Sequence, residues 1–127
     1  MTSVIMGFDF GTTKIGISVG QEITKTATPV GTIIANNGIP LWTELDKVVF
    51  EWDPLSFVVG LPINMDGSVS QMSKRAEKFS RRISDRYEIT SEMFDERLTT
   101  FEARDGQNGN DIDSFAAKLI LESWFRK

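Results

Sequence analysis

The chain has 127 residues, of which 40% are hydrophobic and 25% are charged. This is typical of one globular domain over residues 1–127 and excludes disordered and collagen-like chains. The chain contains no cysteine and no histidine, which excludes disulfide scaffolds, thiolate sites, Ser–His–Asp triads and most zinc sites. An enzyme of this composition has to use carboxylates, hydroxyls, lysine, arginine, backbone amides or a cofactor.

The net charge is −4, which argues mildly against a generic nucleic-acid binder, although a local basic patch matters more than the sum. No apolar run approaches the ~20 residues that a membrane span needs. The N-terminus lacks the pattern of a signal peptide. We therefore expect a cytoplasmic protein with no membrane partner.

The first three predicted elements are strands. Residues 4–10 form an apolar run in which Asp9 shares a face with Ile5 and Gly7. A turn-like segment leads into alternating residues at 15–19, which predicts a hairpin. A third strand is expected over residues 27–35.

The second half of the chain alternates helices with strands. Pro40 is expected to open a helix that ends before Pro54. The later predicted elements are a strand at 55–61, a helix at 70–86, a strand at 89–95, a short helix capped by Thr99 and Glu102, a polar loop at 104–110 and a last helix at 111–125. This order predicts an α/β sandwich with some parallel pairing and an antiparallel edge.

Several acidic residues lie at unusual positions. Asp9 is inside an apolar strand, where an unpaired carboxylate is expensive to bury. It either caps the following turn or contributes to a metal or phosphate site. Asp113 falls in the apolar arc of the last helix, or is a first-turn carboxylate that the helix dipole favours beside an Asn110 cap. The members of that arc are Ile112, Ala116, Ala117, Ile120 and Trp124. Asp95 and Glu96 follow a strand.

Together these acids favour a single site. Carboxylates from the first strand, the fifth strand and the last helix can converge at one end of a sheet. In a chain without His or Cys, such a cluster suits Mg²⁺ or Mn²⁺, which bind oxygen ligands. Two such ions about 4 Å apart can activate water and stabilise the leaving oxygen in phosphodiester cleavage. Asp66, in contrast, is interpreted as a turn residue.

The helix at 70–86 carries a concentration of positive charge. Its six basic residues are Lys74, Arg75, Lys78, Arg81, Arg82 and Arg86. The members expected to share one flank, by their spacing, are Lys74, Lys78, Arg81 and Arg82. Such a flank is either an ordinary solvated helix face or a contact surface for a phosphate backbone.

Four sequence blocks together resemble one family. They are GFDFGTTKIG at 7–16, VVGLPINMDG at 58–67, DERLTT at 95–100, and DSFAA at 113–117 followed by ILE at 120–122. In this order, and over nearly the whole chain, they are similar to the YqgF/RuvX family. The resemblance implies an RNase H-like (RuvC-like) α/β fold with a mixed five-stranded sheet flanked by helices.

The family is described as Holliday junction resolvases and as nucleases that mature the 5′ end of pre-16S rRNA in ribosome biogenesis. The resemblance therefore implies a nuclease that needs Mg²⁺ or Mn²⁺, with pre-rRNA or branched DNA, and ribosomal particles, as partners. It places the catalytic and metal-binding carboxylates at Asp9, Glu96 and Asp113. The phosphate contacts that the resemblance implies are Lys14 and Arg97, with Thr12 and Thr13 as hydroxyl or amide donors. The charge pattern of the basic helix adds Lys74, Lys78 and Arg82 as candidate substrate contacts.

This sequence departs from the family in one segment. Family members have a longer and more basic stretch between a Glu-Ala pair, here Glu102 and Ala103, and the aspartate of the last helix. Arg104 is the only basic residue in that stretch here. A missing substrate loop would weaken the grip on substrate and change how Asp113 approaches the site.

Two other functions remain open at this level. Residues 9–13 also resemble the first phosphate loop of actin-like and sugar-kinase ATPases, although those proteins enclose ATP between two such domains. A nucleic-acid-binding or ribosome-binding module that has lost catalysis is the second alternative. The sequence does not choose between RNA and DNA, between endonuclease and exonuclease action, or between monomer and dimer.

Overall fold

The structure, a computed structural model, describes residues 3–99 and 111–127. Its strands are β1 (Val4–Asp9), β2 (Lys14–Gln21), β3 (Thr26–Asn36), β4 (Ile39–Pro40), β5 (Ser56–Leu61) and β6 (Ser91–Asp95). Its helices are α1 (Trp42–Trp52), α2 (Gln71–Tyr87) and α3 (Ile112–Phe125), with a 3-10 turn at Glu96–Leu98. The predicted α/β class with mixed pairing is confirmed.

The strands form one sheet in the order β4-β3-β2-β1-β5-β6. The pairs β1–β5 and β5–β6 are parallel. The pairs β1–β2, β2–β3 and β3–β4 are antiparallel. Since parallel strands end at the same edge of a sheet, β1, β5 and β6 deliver their last residues to one place.

The side-chain alternation of β1 divides the core into two layers. Met6 and Phe8 pack towards α1 and α2, in a cluster with Phe57 and Phe79. Ile5 points the other way, into the cluster that contains Ile120 of α3. Asp9, predicted to share the face of Ile5, lines a cavity together with Ile120 and so lies on the α3 side.

Three details of the prediction were wrong. The sheet has six strands rather than five, and Pro40 belongs to the additional one instead of opening a helix. Proline lacks an N–H, and this suits an edge strand as well as a helix start. Here Asn37 and Gly38 turn the chain back so that Pro40 pairs with Ala35, and α1 begins at Trp42. Ile112 of the predicted apolar arc is exposed.

The remaining elements agree with the sequence to within a few residues. Ser70 caps α2 in a capping box with Ser73, and Asp111, not Asn110, caps the described first turn of α3. The predicted loop at 104–110, Glu102 and Asn110 lie outside the described residues. Within the described ranges, no helix combines the length and apolarity needed to cross a bilayer.

Candidate active site

Asp9 and Glu96 lie together at the edge where the parallel strands end. Asp9 is the last residue of β1, and Glu96 directly follows β6. Both line one cavity of about 110 Å³, which Thr99 and the α3 residues Ala116, Leu119 and Ile120 complete. The parallel sheet thus brings together two carboxylates that are far apart in sequence.

Two glycines make room for this arrangement. Gly60 of β5 lies beneath Glu96, where an added Cβ would come within 3.0 Å of Glu96 Oε2. Gly16 of β2 is the register partner of Asp9. An added Cβ at Gly16 would lie 2.0 Å from the carbonyl oxygen of Asp113. The first turn of α3 can therefore approach the sheet beside Asp9 only because residue 16 has no side chain.

The electrostatics of Asp9 are unusual for an aspartate. Burial, together with the nearby charges of Glu96 and Asp113, raises the pKa of Asp9 to about 7. Burial and the adjacent Asp95 raise the pKa of Glu96. Neither Asp9 nor Glu96 forms an ion pair with any cation in the described part of the chain. This pattern of desolvation and like-charge repulsion is typical of functional carboxylates.

Asp113 lies in the first turn of α3, where its N–H donates to the capping Asp111. It is near enough to act on the pKa of Asp9, but it does not line the cavity. In residues 3–99 and 111–127, no three acidic side chains are close enough together to ligate one ion. Ligation by all three predicted carboxylates therefore stays a prediction.

Thr99 is a cavity residue whose role the sequence reasoning missed. The short helix that it is predicted to cap lies outside the described residues. Its N–H donates to the Glu96 carbonyl and closes the 3-10 turn. Its hydroxyl oxygen is buried and has no hydrogen-bond partner among the residues that the structure describes. The available signal was its position three residues after Glu96, a spacing that one 3-10 turn brings together.

The segment after β1 lies at the same edge. The carbonyls of Thr12 and Thr13 accept hydrogen bonds from Gly38 and Ala35, which tie the segment to β3 and the following turn. Lys14 begins β2 and is exposed. These three residues, predicted as substrate contacts, are thus near the end of β1 without lining the acidic cavity.

Arg97 and Asp66 have structural partners. Arg97 forms a salt bridge with Asp95, 2.7 Å between Nη2 and Oδ2, and this contact lowers the pKa of Asp95. Asp66 accepts hydrogen bonds from the backbone N–H and the hydroxyl of Ser68, which confirms its interpretation as a turn residue. A phosphate contact for Arg97 stays a prediction, and it requires competition with Asp95.

The four basic residues predicted to share a flank lie on one continuous helix, α2, but only two of them line a concave space. Lys78 and Arg82 line a second cavity, together with Arg75. Lys74 and Arg81 are exposed and lie outside that lining. Helical spacing alone does not predict which of two adjacent flanks faces a neighbouring element. Here the turn between β3 and β4 lies opposite Arg75, Lys78 and Arg82 and forms the other side of the cavity.

The chain is similar over its whole length to known proteins. Residues 3–127 match the RuvX family, described as Holliday junction resolvase. A protein of Saccharophagus degradans is 49% identical, with 100% of this chain and 96% of the relative covered. One of Pseudomonas fluorescens is 50% identical, with 95% and 90% covered. Both are named "Putative pre-16S rRNA nuclease".

Two solved structures share the fold. They are Thermus thermophilus RuvC, with a TM-score of 0.61 at 11% identity, and the same protein in complex with a Holliday junction substrate, with a TM-score of 0.59 at 10% identity. Each comparison covers 96% of this chain, and 93% and 92% of the respective RuvC chain. The expected RuvC-like, RNase H-like architecture is confirmed. With the family match and these relatives, the chain belongs to the RuvX family.

Proposed function

We propose that the protein is a metal-dependent nuclease that hydrolyses a phosphodiester bond at the cavity of Asp9 and Glu96. Its proposed role is maturation of the 5′ end of pre-16S rRNA, in the cytoplasm and on precursor rRNA or ribosomal particles. The observation that carries the proposal is the half-buried Asp9, whose desolvated carboxylate lies beside other acids with no cationic partner among the described residues. The names of relatives about half identical in sequence support the choice of substrate.

The donor set of the cavity fits a hard divalent cation. The titratable groups of the cavity, Asp9 and Glu96, offer only oxygen atoms, which suits Mg²⁺ or Mn²⁺. Thr99, which also lines the cavity, carries a hydroxyl with no hydrogen-bond partner among the described residues. Magnesium sites commonly use one or two carboxylates, completed by water and substrate phosphate, so two cavity carboxylates are sufficient and Asp113 is the proposed third. When bound, such ions would activate water and stabilise the leaving oxygen.

The protein's own residues set the electrostatics and the orientation. Leu119 and Ile120 form an apolar wall beside the two carboxylates, and a less polar surrounding strengthens the attraction between these oxygens and a cation. The proposed contacts to substrate phosphates are Thr12, Thr13, Lys14, Lys74, Lys78, Arg82 and Arg97. None of these seven residues lines the cavity, so they would hold the strand rather than the reacting phosphate.

A second candidate function is resolution of branched DNA. It is favoured by the family description and by the likeness of the fold to RuvC. A third possibility, a binding module without catalysis, would keep the basic helix but leave the acids structural. The desolvated Asp9 has no cationic partner among the described residues, which argues against that alternative, since a structural carboxylate removed from water is normally partnered.

Cleavage assays test the proposal directly. Wild-type protein would be incubated with a precursor 16S rRNA fragment and with four-way-junction DNA, in Mg²⁺ and in Mn²⁺. We expect metal-dependent cleavage of the RNA, and a fall of about 10²- to 10³-fold in the Asp9→Asn variant, the order found when one active-site electrostatic group is removed.

Asp53→Asn is the matched control. It removes the same charge from an exposed residue with a left-handed backbone, φ 48°, which asparagine also adopts. This variant should cleave like the wild type. Full cleavage by Asp9→Asn would refute the assigned role of Asp9, and preferential cleavage of the junction would favour the resolvase.

A further inference from the structure

We propose that a groove between α2 and the β3–β4 turn is a binding subsite for a phosphate of the nucleic-acid strand, separate from the cavity where cleavage occurs. This inference rests on the proposed function, because it takes the ligand to be the nuclease's substrate strand. It adds Arg75 and Asn37, which neither the sequence motifs nor the comparisons assign.

Among the residues that the structure describes, those lining the groove include three cations and no acid. Its volume is about 220 Å³. Its lining residues are Phe10, Asn37, Gly38, Ile39, Arg75, Lys78 and Arg82. The three cations lie at i, i+3 and i+7 along α2, and this spacing places them on one stripe of the helix. Three positive charges therefore face one small, concave space.

These cations are not neutralised by carboxylates. Among the described residues, the salt bridges involve Lys47, Arg86 and Arg97, and none involves a groove cation. Arg75 donates instead to the side-chain oxygen of Asn37. A neutral amide orients the guanidinium without cancelling its charge, so Arg75 keeps donors for an anion.

The opposite wall is a rigid turn. Asn37 and Gly38 both have positive φ, 54° and 85°, which is the conformation of a two-residue type I′ hairpin turn. The Gly38 N–H donates to the Thr12 carbonyl at 2.9 Å. An added Cβ at Gly38 would lie 3.0 Å from Phe10 Cζ. The turn is therefore fixed against the segment that follows β1, and the groove is preformed.

The position of the groove relates it to the acidic cavity. Asp9 lines the cavity on the α3 side, and the next residue, Phe10, lines the groove on the α2 side. Side chains of consecutive residues point to opposite faces, so the two sites lie on either side of the end of β1. A strand that crosses this edge can place one phosphate at the acids and a neighbouring phosphate among the cations. Guanidinium groups recognise phosphate well through parallel hydrogen bonds.

The test compares two adjacent arginines. Binding of a fluorescein-labelled, 12-nucleotide single-stranded RNA would be measured by anisotropy in EDTA, over a range of salt concentrations. Arg82→Ala removes a groove cation, and Arg81→Ala removes an exposed cation of the same helix outside the groove. Melting temperatures confirm folding, and Arg75→Ala is a second groove variant.

We expect Arg82→Ala and Arg75→Ala to weaken binding about 5- to 10-fold, and to reduce the slope of log affinity against log salt by about 0.7, the value for one phosphate contact on a single strand. Arg81→Ala should change affinity less than about 2-fold, with an unchanged slope. Equal losses of RNA affinity in Arg81→Ala and Arg82→Ala would overturn the proposal that the groove is a phosphate subsite and would indicate a diffuse cationic surface. Absence of RNA binding by the wild type would also overturn it.

The groove and the proposed function can fail separately. If the wild type cleaves RNA but Arg81→Ala and Arg82→Ala bind RNA equally well, the groove is wrong and the nuclease stands. If Arg82→Ala and Arg75→Ala lose binding and Arg81→Ala does not, but the wild type cleaves neither RNA nor junction DNA, the subsite stands and the catalytic proposal is wrong.

Discussion

The acidic cavity and the contact between α1 and α2 shift the pKa of an aspartate in opposite directions. At the helix contact, Asp46 accepts two hydrogen bonds from Arg86, both at 2.9 Å, and one from the Tyr87 hydroxyl at 2.6 Å. These partners lower the pKa of Asp46 to about 2. In the cavity, burial and neighbouring acids raise the pKa of Asp9 to about 7.

The difference separates a stabilising carboxylate from a functional one. The charged form of Asp46 stabilises the folded state more than its protonated form does, because its partners are cationic or donate hydrogen bonds. Asp9 in its charged form opposes folding, since its carboxylate is desolvated and lies near the charge of Glu96. A carboxylate that lowers the stability of the folded state in this way is typical of a functional site. The same substitution, Asp to Asn, should therefore have opposite effects at the two positions.

The largest stability effect is expected at Asp9. Its folded pKa, about 7, lies above its unfolded value of 3.8, so the folded state binds more protons and wild-type stability falls as the pH rises between these values. Asn cannot ionise, so Asp9→Asn should become more stable than the wild type, with about 2 kcal/mol of the difference developing between pH 5.5 and pH 8.5. Urea unfolding at both pH values, without metal, measures it. A difference that does not change with pH would contradict the assigned environment of Asp9.

A smaller effect is expected from Gly60→Ala. The added Cβ would lie 2.7 Å from Ile120 Cδ1 and 3.0 Å from Glu96 Oε2. Both are ends of flexible side chains, so the fold should persist while Glu96 is displaced. We expect about a 10-fold loss of cleavage, in the range seen when support for a ligand is lost.

Gly31→Ala is the matched control for this change. No described atom lies within 4 Å of an added Cβ at Gly31, so the new methyl group meets no neighbour. The φ of +154° is one that side chains rarely adopt, so this replacement strains the backbone without touching the cavity. It tests a glycine replacement in the sheet away from the cavity, and its cleavage should equal that of the wild type. Unchanged cleavage in Gly60→Ala would mean that the position of Glu96 is not critical.

The smallest effect is expected at Asp46, and it has the opposite sign. The folded pKa of Asp46, about 2, lies below its ordinary value of 3.8. Its contribution to stability is therefore fully present above about pH 4 and is lost as the pH falls towards 2. Asp46→Asn should lower the melting temperature by a similar amount at pH 5.5 and pH 8.5, and leave cleavage unchanged. A loss of cleavage would make the α1–α2 contact part of the catalytic apparatus.

The sequence predicted the fold well because its elements are locally distinct. The apolar runs at β1 and β5, and the helical period of α2, leave few alternatives. The error at Pro40 arose because a missing N–H is compatible with two structures. Only the pairing of Ala35 with Pro40 distinguishes them, and this depends on how tightly Asn37 and Gly38 turn.

The charged residues of the candidate site could be predicted from the sequence, but the glycines that make room for them could not. An acid in an apolar strand, such as Asp9, stands out in the sequence. Gly16 and Gly60 do not, because their importance lies in what approaches them: the Asp113 carbonyl and the Glu96 carboxylate. Thr99 likewise needed the 3-10 turn to place its hydroxyl in the cavity.

The central claim is that Asp9 and Glu96 form a pocket for a divalent cation. Titration of ¹⁵N-labelled protein with Mn²⁺ tests it most directly, because a bound paramagnetic ion broadens nearby amide resonances. We predict that broadening at substoichiometric Mn²⁺ is strongest around residues 9, 60, 96–99 and 113–117, and is lost in Asp9→Asn. Broadening centred elsewhere, for example around Asp66, or unchanged by the Asp9 substitution, would contradict the claim.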